Sequence, residues 1–337
     1  MDDERHPFNP LLITLLVILL LLLVACTSNG MHIARDPAAS GRRPPESLRV
    51  MTWNVAMLPG LIGRLAGHEP ADAERVHRVC DEILTAAPDV VVLQEVFDED
   101  ARRVLSERLR TVYPYRVEKC GAGGLMVEDS GLFFASKHRV LPGSEVFEAF
   151  SHRGGLLNEE RLASKGIFGA WVELSHGRAV GIFNTHLQAD GDRVGAFAGV
   201  RRRQLAQIRK LIERSVARAA RTHEVYVLLL GDLNVVGETV DAVSTRLCAT
   251  QEYIEAVSML PEATDLVRAR APDRPLYTWE PPQESKEPHG QRLDYVLALC
   301  GGPAQPLICR GVELTRRGRG KLLSDHRGIV VDLDVGA

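Results

Sequence analysis

The sequence predicts a single α/β domain of the sandwich type, and three observations predict it. Short, almost purely apolar runs recur along the chain, as at Val90–Gln94 and Val225–Leu230. Strands so uniformly apolar are buried on both faces. Stretches with apolar residues at helical spacing stand between them, and such helices cover the sheet faces. The chain has 337 residues, 45% hydrophobic and 25% charged, which is ordinary globular composition and enough to bury a full core.

The elements follow in order. Leu11 to Ala25 is apolar apart from Thr14. It falls short of the roughly 20 residues that span a bilayer but suits the apolar region of a signal peptide, which runs about 7–15. It ends in Leu23-Val24-Ala25-Cys26, which resembles the lipobox of bacterial lipoproteins. That resemblance implies a signal peptide over 1–26 and a lipidated Cys26 as first mature residue. The leading Asp2-Asp3-Glu4-Arg5-His6 is acidic where such a peptide is normally basic. An uncleaved anchor and simple secretion therefore stand as alternatives, and all three export the protein. Residues 27–47, rich in Gly, Pro, Ser and Arg, are expected to be a flexible tether.

The folded domain is expected over 48–337. Strands are expected at Leu48–Asn54, Val90–Gln94, Leu132–Ser136, Ala170–Leu174, Val180–His186, Val225–Leu230, Leu293–Leu299 and Gly328–Leu333. Ala71–Ala86 reads as a helix with Val76, Val79, Ile83 and Leu84 on one face. Asp98–Leu109 and Val200–Arg221 are the other helices, the second with many Arg and Lys on its outer faces. Of six cysteines, five remain if Cys26 carries lipid, so they cannot all pair within one chain. Cys300 and Cys309 either bridge or stay free thiols. A net charge of -3 and a pI near 6.4 show no basic excess, which argues against a nucleic-acid partner.

Polar residues terminate the apolar runs: Asn54, Glu95 after Gln94, His186, Asp232 with Asn234, and Asp325-His326 just before the last strand. Strand ends of an α/β sheet gather at one rim, where sites form. Carboxylate and amide oxygens suit Mg²⁺, and a histidine takes a proton from water near neutral pH. Alone, each such residue is more often a cap or a solvated turn residue.

Together, the ordered set Asn, Gln-Glu, Thr-His-Leu-Gln, Gly-Asp-Leu-Asn, Leu-Asp-Tyr and Ser-Asp-His resembles the endonuclease/exonuclease/phosphatase superfamily over about 290 residues from Leu48. That resemblance implies a DNase I-like, four-layered α/β sandwich: two facing mixed β-sheets flanked by helices. It implies Glu95 as principal Mg²⁺ ligand with Asn54 beside it, and Asp325 completing the metal region. Mn²⁺ or Co²⁺ would fit the same oxygens. Asp232 and Asn234 would orient the nucleophilic water, His326 would be the general base, and Asp294 would hold its imidazole. His186 would donate a hydrogen bond to a phosphate oxygen.

Within that superfamily, Asn54-Val55-Ala56-Met57-Leu58-Pro59, Leu93-Gln94-Glu95-Val96-Phe97, Thr185–Asp190, Ala163-Ser164-Lys165-Gly166 and Tyr277-Thr278-Trp279 resemble bacterial and neutral sphingomyelinases. Lys165 and Asp190 would then lie at the active-site rim and bind substrate. The implied partner is sphingomyelin at a membrane surface, met by a monomer. Met57–Ile62 is either a lipid contact or core. A nuclease of the same fold would use Arg201-Arg202-Arg203 or Arg316-Arg317-Gly318-Arg319; the first is expected to be a solvated helix face. An inositol-phosphate phosphatase lacks support, because Leu229-Leu230-Gly231-Asp232 stands where that group has Trp-x-Gly-Asp-x-Asn. A binding lipoprotein that keeps the fold without catalysis would lack a catalytic residue, and none is missing.

Overall fold

The computed structural model describes residues 28–36, 43–58, 73–123, 129–152, 164–191, 193–240, 246–281, 290–299, 307–315 and 323–335. The expected signal peptide with Cys26, residues 59–62 of the apolar loop, Cys300 and the 316–319 arginines lie outside them. The strands are β1 (Ser28–Asn29), β2 (His32–Arg35), β3 (Ser47–Met57), β4 (Val90–Val96), β5 (Tyr115–Lys119), β6 (Ala122–Gly123), β7 (Phe133–Ser136), β8 (Val146–Ala149) and β9 (Gly166–Glu173). They continue with β10 (Arg178–His186), β11 (Glu224–Asp232), β12 (Glu238–Val240), β13 (Leu247–Ala249), β14 (Thr264–Asp265), β15 (Asp294–Leu299), β16 (Ile308–Leu314) and β17 (Ile329–Asp334). The helices are α1 (Ala73–Ala86), α2 (Glu99–Leu109), α3 (Ala198–Ala219), α4 (Gln251–Ser258) and α5 (Leu266–Arg270).

Two sheets carry the fold, in the orders β16-β17-β3-β4-β7-β5-β2 and β14-β15-β11-β10-β9-β8. Both are mixed. β3 pairs parallel with β4 and β10 parallel with β11, and the remaining neighbours are antiparallel. A parallel pair needs a crossover. The two crossovers carry α1 and α3, which cover the outer faces of their own sheets.

Alternation along the strands divides the core into three. Val50, Val90, Val92, Ile182, Leu228, Leu230 and Val296 face between the sheets. Met51, Trp53, Val91 and Leu93 face Val76, Val79 and Ile83 of α1 and Leu105 of α2. Phe183, Val227, Leu229 and Tyr295 face Leu205 and Ile208 of α3 and Tyr253 of α4. Three cores between four layers confirm the sandwich expected from the sequence. Asp98 starts α2 by accepting from the Ala101 N–H at 2.9 Å, and Thr250 does the same for α4 with Tyr253 at 3.1 Å.

One expectation fails in part. Within the presumed tether, His32–Arg35 pairs antiparallel with β5 and forms the edge of the seven-stranded sheet. Edge pairing needs backbone groups more than an apolar pattern, so composition concealed it. Among the described residues, no helix is long and apolar enough to cross a membrane.

Candidate active site

The site grows out of that alternation. Towards one end of each central strand, the positions facing the other sheet turn from apolar to polar: Val50 to Thr52 to Asn54, Val92 to Gln94, Ile182 to Asn184 to His186, Leu230 to Asp232, and Val296 to Asp294. All seven polar positions are 0–3% exposed: Thr52, Asn54, Gln94, Asn184, His186, Asp232 and Asp294. A buried apolar residue at each place would contribute about 1.5–3 kcal/mol, whereas a polar one costs free energy unless hydrogen-bonded. Stability does not explain such a layer. Register does the assembling: Asn54 lies opposite Gln94, and Asp232 lies between His186 and Asp294 on the flanking strands.

Glu95 breaks the alternation. It has φ 59°, and the β3–β4 register slips between Asn54 and Met57, with Ala56 at φ 47°. Non-glycine residues rarely hold such backbone, and they cluster at functional sites. The bulge brings Glu95 to the site, where its Oε1 accepts from Asn54 Nδ2 at 2.9 Å. Arg75, a 4%-exposed residue of α1, holds the bulge by donating to the Val55, Ala56 and Leu323 carbonyls at 2.7–2.9 Å. Gly231 is equally constrained. At φ 136°, a Cβ there would stand 2.0 Å from the Thr185 carbonyl oxygen.

Two histidines face Asp232. His326 Nε2 is 3.7 Å from Asp232 Oδ2, and its Nδ1 donates to Asp294 Oδ2 at 2.8 Å. His186 Nε2 stands 3.6 Å from the same Oδ2 and 3.9 Å from Glu95 Oε1. Burial works against a charge on His326, but Asp294, Asp232 and Asp325 overcome it and hold the imidazole well above its usual range. Burial, reinforced by Lys165 and His326, pushes His186 well below it. Burial and Asp294 push the Asp232 carboxyl up to about 7, against the pull of His326. Burial and Asp325 likewise raise Glu95.

The loop carrying Asp325 and His326 is pinned to β3. Ser324 Oγ donates to the Asn54 carbonyl at 2.7 Å, and Trp53 Nε1 to the His326 carbonyl at 3.0 Å. Trp279 Nε1 donates to Asp325 Oδ2 at 3.2 Å. Thr278 Oγ1 accepts from the Leu293 and Asp294 N–H groups at 3.0 and 3.1 Å, fixing the start of β15. Among these supports, the Tyr277-Thr278-Trp279 segment and Ser324 of Ser-Asp-His carried a signal in the sequence; Arg75 carried none, because it acts on backbone carbonyls.

Most expected residues converge here: Asn54, Glu95, Lys165, His186, Asp232, Asp294, Asp325 and His326. Three differ in detail. Lys165, 4% exposed, places its ammonium 3.2 Å from His186 Nε2 and 3.0 Å from the Leu187 carbonyl. An ammonium only donates, so His186 Nε2 accepts from it, and in this arrangement His186 is not the expected phosphate donor. Asn234, at φ 49°, takes the Asp232 carboxylate on its N–H at 2.8 Å and spends its Nδ2 on the Leu187 carbonyl at 3.1 Å. Asp190 is engaged in local structure. Its carboxylate caps the turn into α3, accepting from the Gly195 and Phe197 N–H groups at 2.6 and 2.9 Å, and pairs with Arg201 at 2.8 Å. Arg201 in turn is 1% exposed and also bound to Glu252 at 2.7 Å, not a solvated residue.

The donor set fits a hard divalent cation. The Asp325 charge raises Glu95, so these carboxylates repel each other and would be relieved by a cation. Asn54 turns its Nδ2 to Glu95 and Asp232 and its Oδ1 to the Ala56 N–H, so it orients Glu95 rather than offering an oxygen here. Among the described residues, Asp232, Asp294 and His326 also bring ligand atoms within 4.8 Å of one another. One nitrogen of His326 is already given to Asp294, so that trio has the geometry of an oriented base as well as of a metal cradle.

The comparisons with known proteins agree with this geometry. The model of the endonuclease/exonuclease/phosphatase family matches residues 51–326. Sphingomyelinase C of Leptospira interrogans is 28% identical over 261 residues, 69% of this chain and 45% of that protein. The chain spans about half or less of the length of the curated relatives it matches. A doubly substituted beta toxin from Staphylococcus aureus with bound magnesium ions superposes at TM-score 0.60 with 19% identity, covering 85% of this chain and 99% of that one. TDP2 of D. rerio with a single-strand DNA product also reaches 0.60, at 18% identity over 85% and 98%. At those identities the two structures show a shared fold.

Proposed function

The chain belongs to the endonuclease/exonuclease/phosphatase family, and on that premise we propose that it hydrolyses sphingomyelin to ceramide and phosphocholine as a metal-dependent phosphodiesterase. One observation carries the hydrolytic reading: the His326–Asp294 pair meets the buried carboxylate of Asp232, which His186 approaches from the other side with Glu95 beside it. The choice of sphingomyelin is supported by the Leptospira relative and by the placing of Lys165 and Trp279 at the site.

Glu95 and Asp325 would hold the divalent cation, with Asn54 keeping the Glu95 carboxylate in place. When bound, that cation supplies a Lewis acid that offsets charge gathering on the phosphate. Asp294 accepts the Nδ1 proton of His326, so Nε2 is the nitrogen that faces the reacting water. His326 Nε2 takes the proton from that water as it attacks phosphorus, the bond from phosphorus to the ceramide oxygen breaks in line, and the departing oxygen takes a proton from solvent water. Asp232, 3.7 Å from Nε2 and fixed by the Asn234 N–H, orients the water. Lys165 supplies positive charge beside His186, where the phosphate would sit.

Phosphocholine release from sphingomyelin in mixed micelles, with Mg²⁺ and with EDTA, tests the reading beside plasmid DNA. Mg²⁺-dependent release with intact DNA is the expected result. Nicked DNA without release would transfer the same machinery to nucleic acid, the ligand of the D. rerio structure. We also propose, from the sequence motif, that Cys26 bears a lipid anchor on an exported protein. Cys26→Ser should then move the protein from the detergent to the aqueous phase on partition.

A further inference from the structure

Beneath the site, polar side chains join the two sheets directly. Gln94 of β4 donates from Nε2 to Asn184 Oδ1 of β10 at 2.7 Å and to Thr52 Oγ1 of β3 at 3.1 Å. Asn184 Nδ2 reaches back to the Leu93 and Phe133 carbonyls at 3.0 and 3.2 Å. Those residues are the last register pair of β4 and β7. All three side chains are 0% exposed. The next layer down is apolar: Val92, Ile182 and Leu230.

The placement has a consequence. Hydrophobic contact is non-directional, so an apolar interface alone leaves two sheets free to slide by a fraction of an ångström. Amide hydrogen bonds hold distance and angle much more tightly. The site needs that precision, because its halves come from different sheets. Glu95 directly follows Gln94 on the seven-stranded sheet. His186 lies two residues beyond Asn184, beside Asp232, on the six-stranded one. We infer that Gln94 and Asn184 are positioning residues, whose cross-sheet bridge sets the gap over which Glu95 meets His186 and Asp232. Neither touches the reacting atoms.

The inference rests on the proposed reading of the site, so its test has an arm that does not need turnover. Gln94→Met keeps the volume and removes the bridge. Tyr113→Phe is the control: it removes a buried hydrogen bond to the Pro88 carbonyl at the opposite end of β4. Both variants should lose similar thermal stability. Gln94→Met should also lower kcat on sphingomyelin micelles by about 10–100-fold with KM within about threefold, and weaken Mn²⁺ affinity by calorimetry about tenfold, as loss of outer-shell support does. Tyr113→Phe should keep both. Wild-type kcat per folded molecule and wild-type Mn²⁺ affinity in Gln94→Met would overturn the inference. Should Gln94→Met not fold, Asn184→Asp decides by the same readouts, since it keeps the shape and loses donation to the Leu93 and Phe133 carbonyls. A wild-type protein inert on sphingomyelin would defeat the substrate reading, and the Mn²⁺ arm would still decide this one.

Discussion

His186 and His326 approach one carboxylate oxygen from two sides, at 3.6 and 3.7 Å, yet their surroundings set them opposite tasks. Both are buried, at 3% and 6% exposure. Around His326 stand Asp294, Asp232 and Asp325, which favour the imidazolium. At His186 burial disfavours it, and Lys165 and His326 beside the ring add to that. One ring is therefore built to receive a proton and the other to remain neutral. Burial pushes both the same way, so the neighbouring charges make the difference. Two histidines at like distances from one carboxylate are thus not interchangeable, and their roles follow from the company each keeps.

The largest test of that contrast is His326→Ala. Loss of a positioned base should lower kcat by about 10²–10⁴-fold, while circular dichroism shows an intact fold. Glu95→Gln should lower metal-dependent turnover by a comparable factor and leave the protein folded; full activity would remove Glu95 from the site. Lys165→Met is expected to lower kcat about tenfold or more, judged by the usual worth of one electrostatic donor. It should also raise the His186 pKa, seen in an NMR titration of the ring. A pKa unmoved by that change would end the claim that Lys165 keeps His186 neutral.

The smallest effect is on stability against pH in the metal-free protein. His186 has a folded pKa below its unfolded value of about 6.5, so its contribution is present above that pH and lost as pH falls. His326 is raised, so its contribution is present below about 6.5 and lost as pH rises through the folded value. Asp232, raised to about 7, acts in the same direction as His326, losing stability as pH rises from about 4 to 7. His186→Asn should therefore raise the melting temperature at pH 5 relative to that at pH 7, compared with wild type, and leave the alkaline limb as it was. An unchanged acid limb would assign that limb to other groups.

Much of this was legible in the sequence, for a physical reason. β3, β4, β10, β11, β15 and β17 are buried on both faces and announce themselves as apolar runs, and Asn54, Glu95, His186, Asp232 and His326 stand at their ends. Strands buried on one side escaped notice: β5 reads Tyr-Arg-Val-Glu-Lys and β16 Ile-Cys-Arg-Gly-Val-Glu-Leu, with charges interleaved. Asp190 shares a short motif with His186, and that motif gave no sign that its carboxylate caps the turn into α3 and pairs with Arg201. Arg75 stayed hidden because its partners are backbone carbonyls, which no residue pattern records.

Gly231 carries a lesson for mutational tolerance. Any missense change in its codon adds a Cβ where the Thr185 carbonyl oxygen already lies 2.0 Å away, and either β10 must part from β11 or Asp232 must turn. In a saturation scan, this position should therefore score with the acid and base residues although it contacts no substrate. Its near-lethal profile would reflect one missing atom's worth of room, and a scan read without coordinates would mistake it for a chemical group.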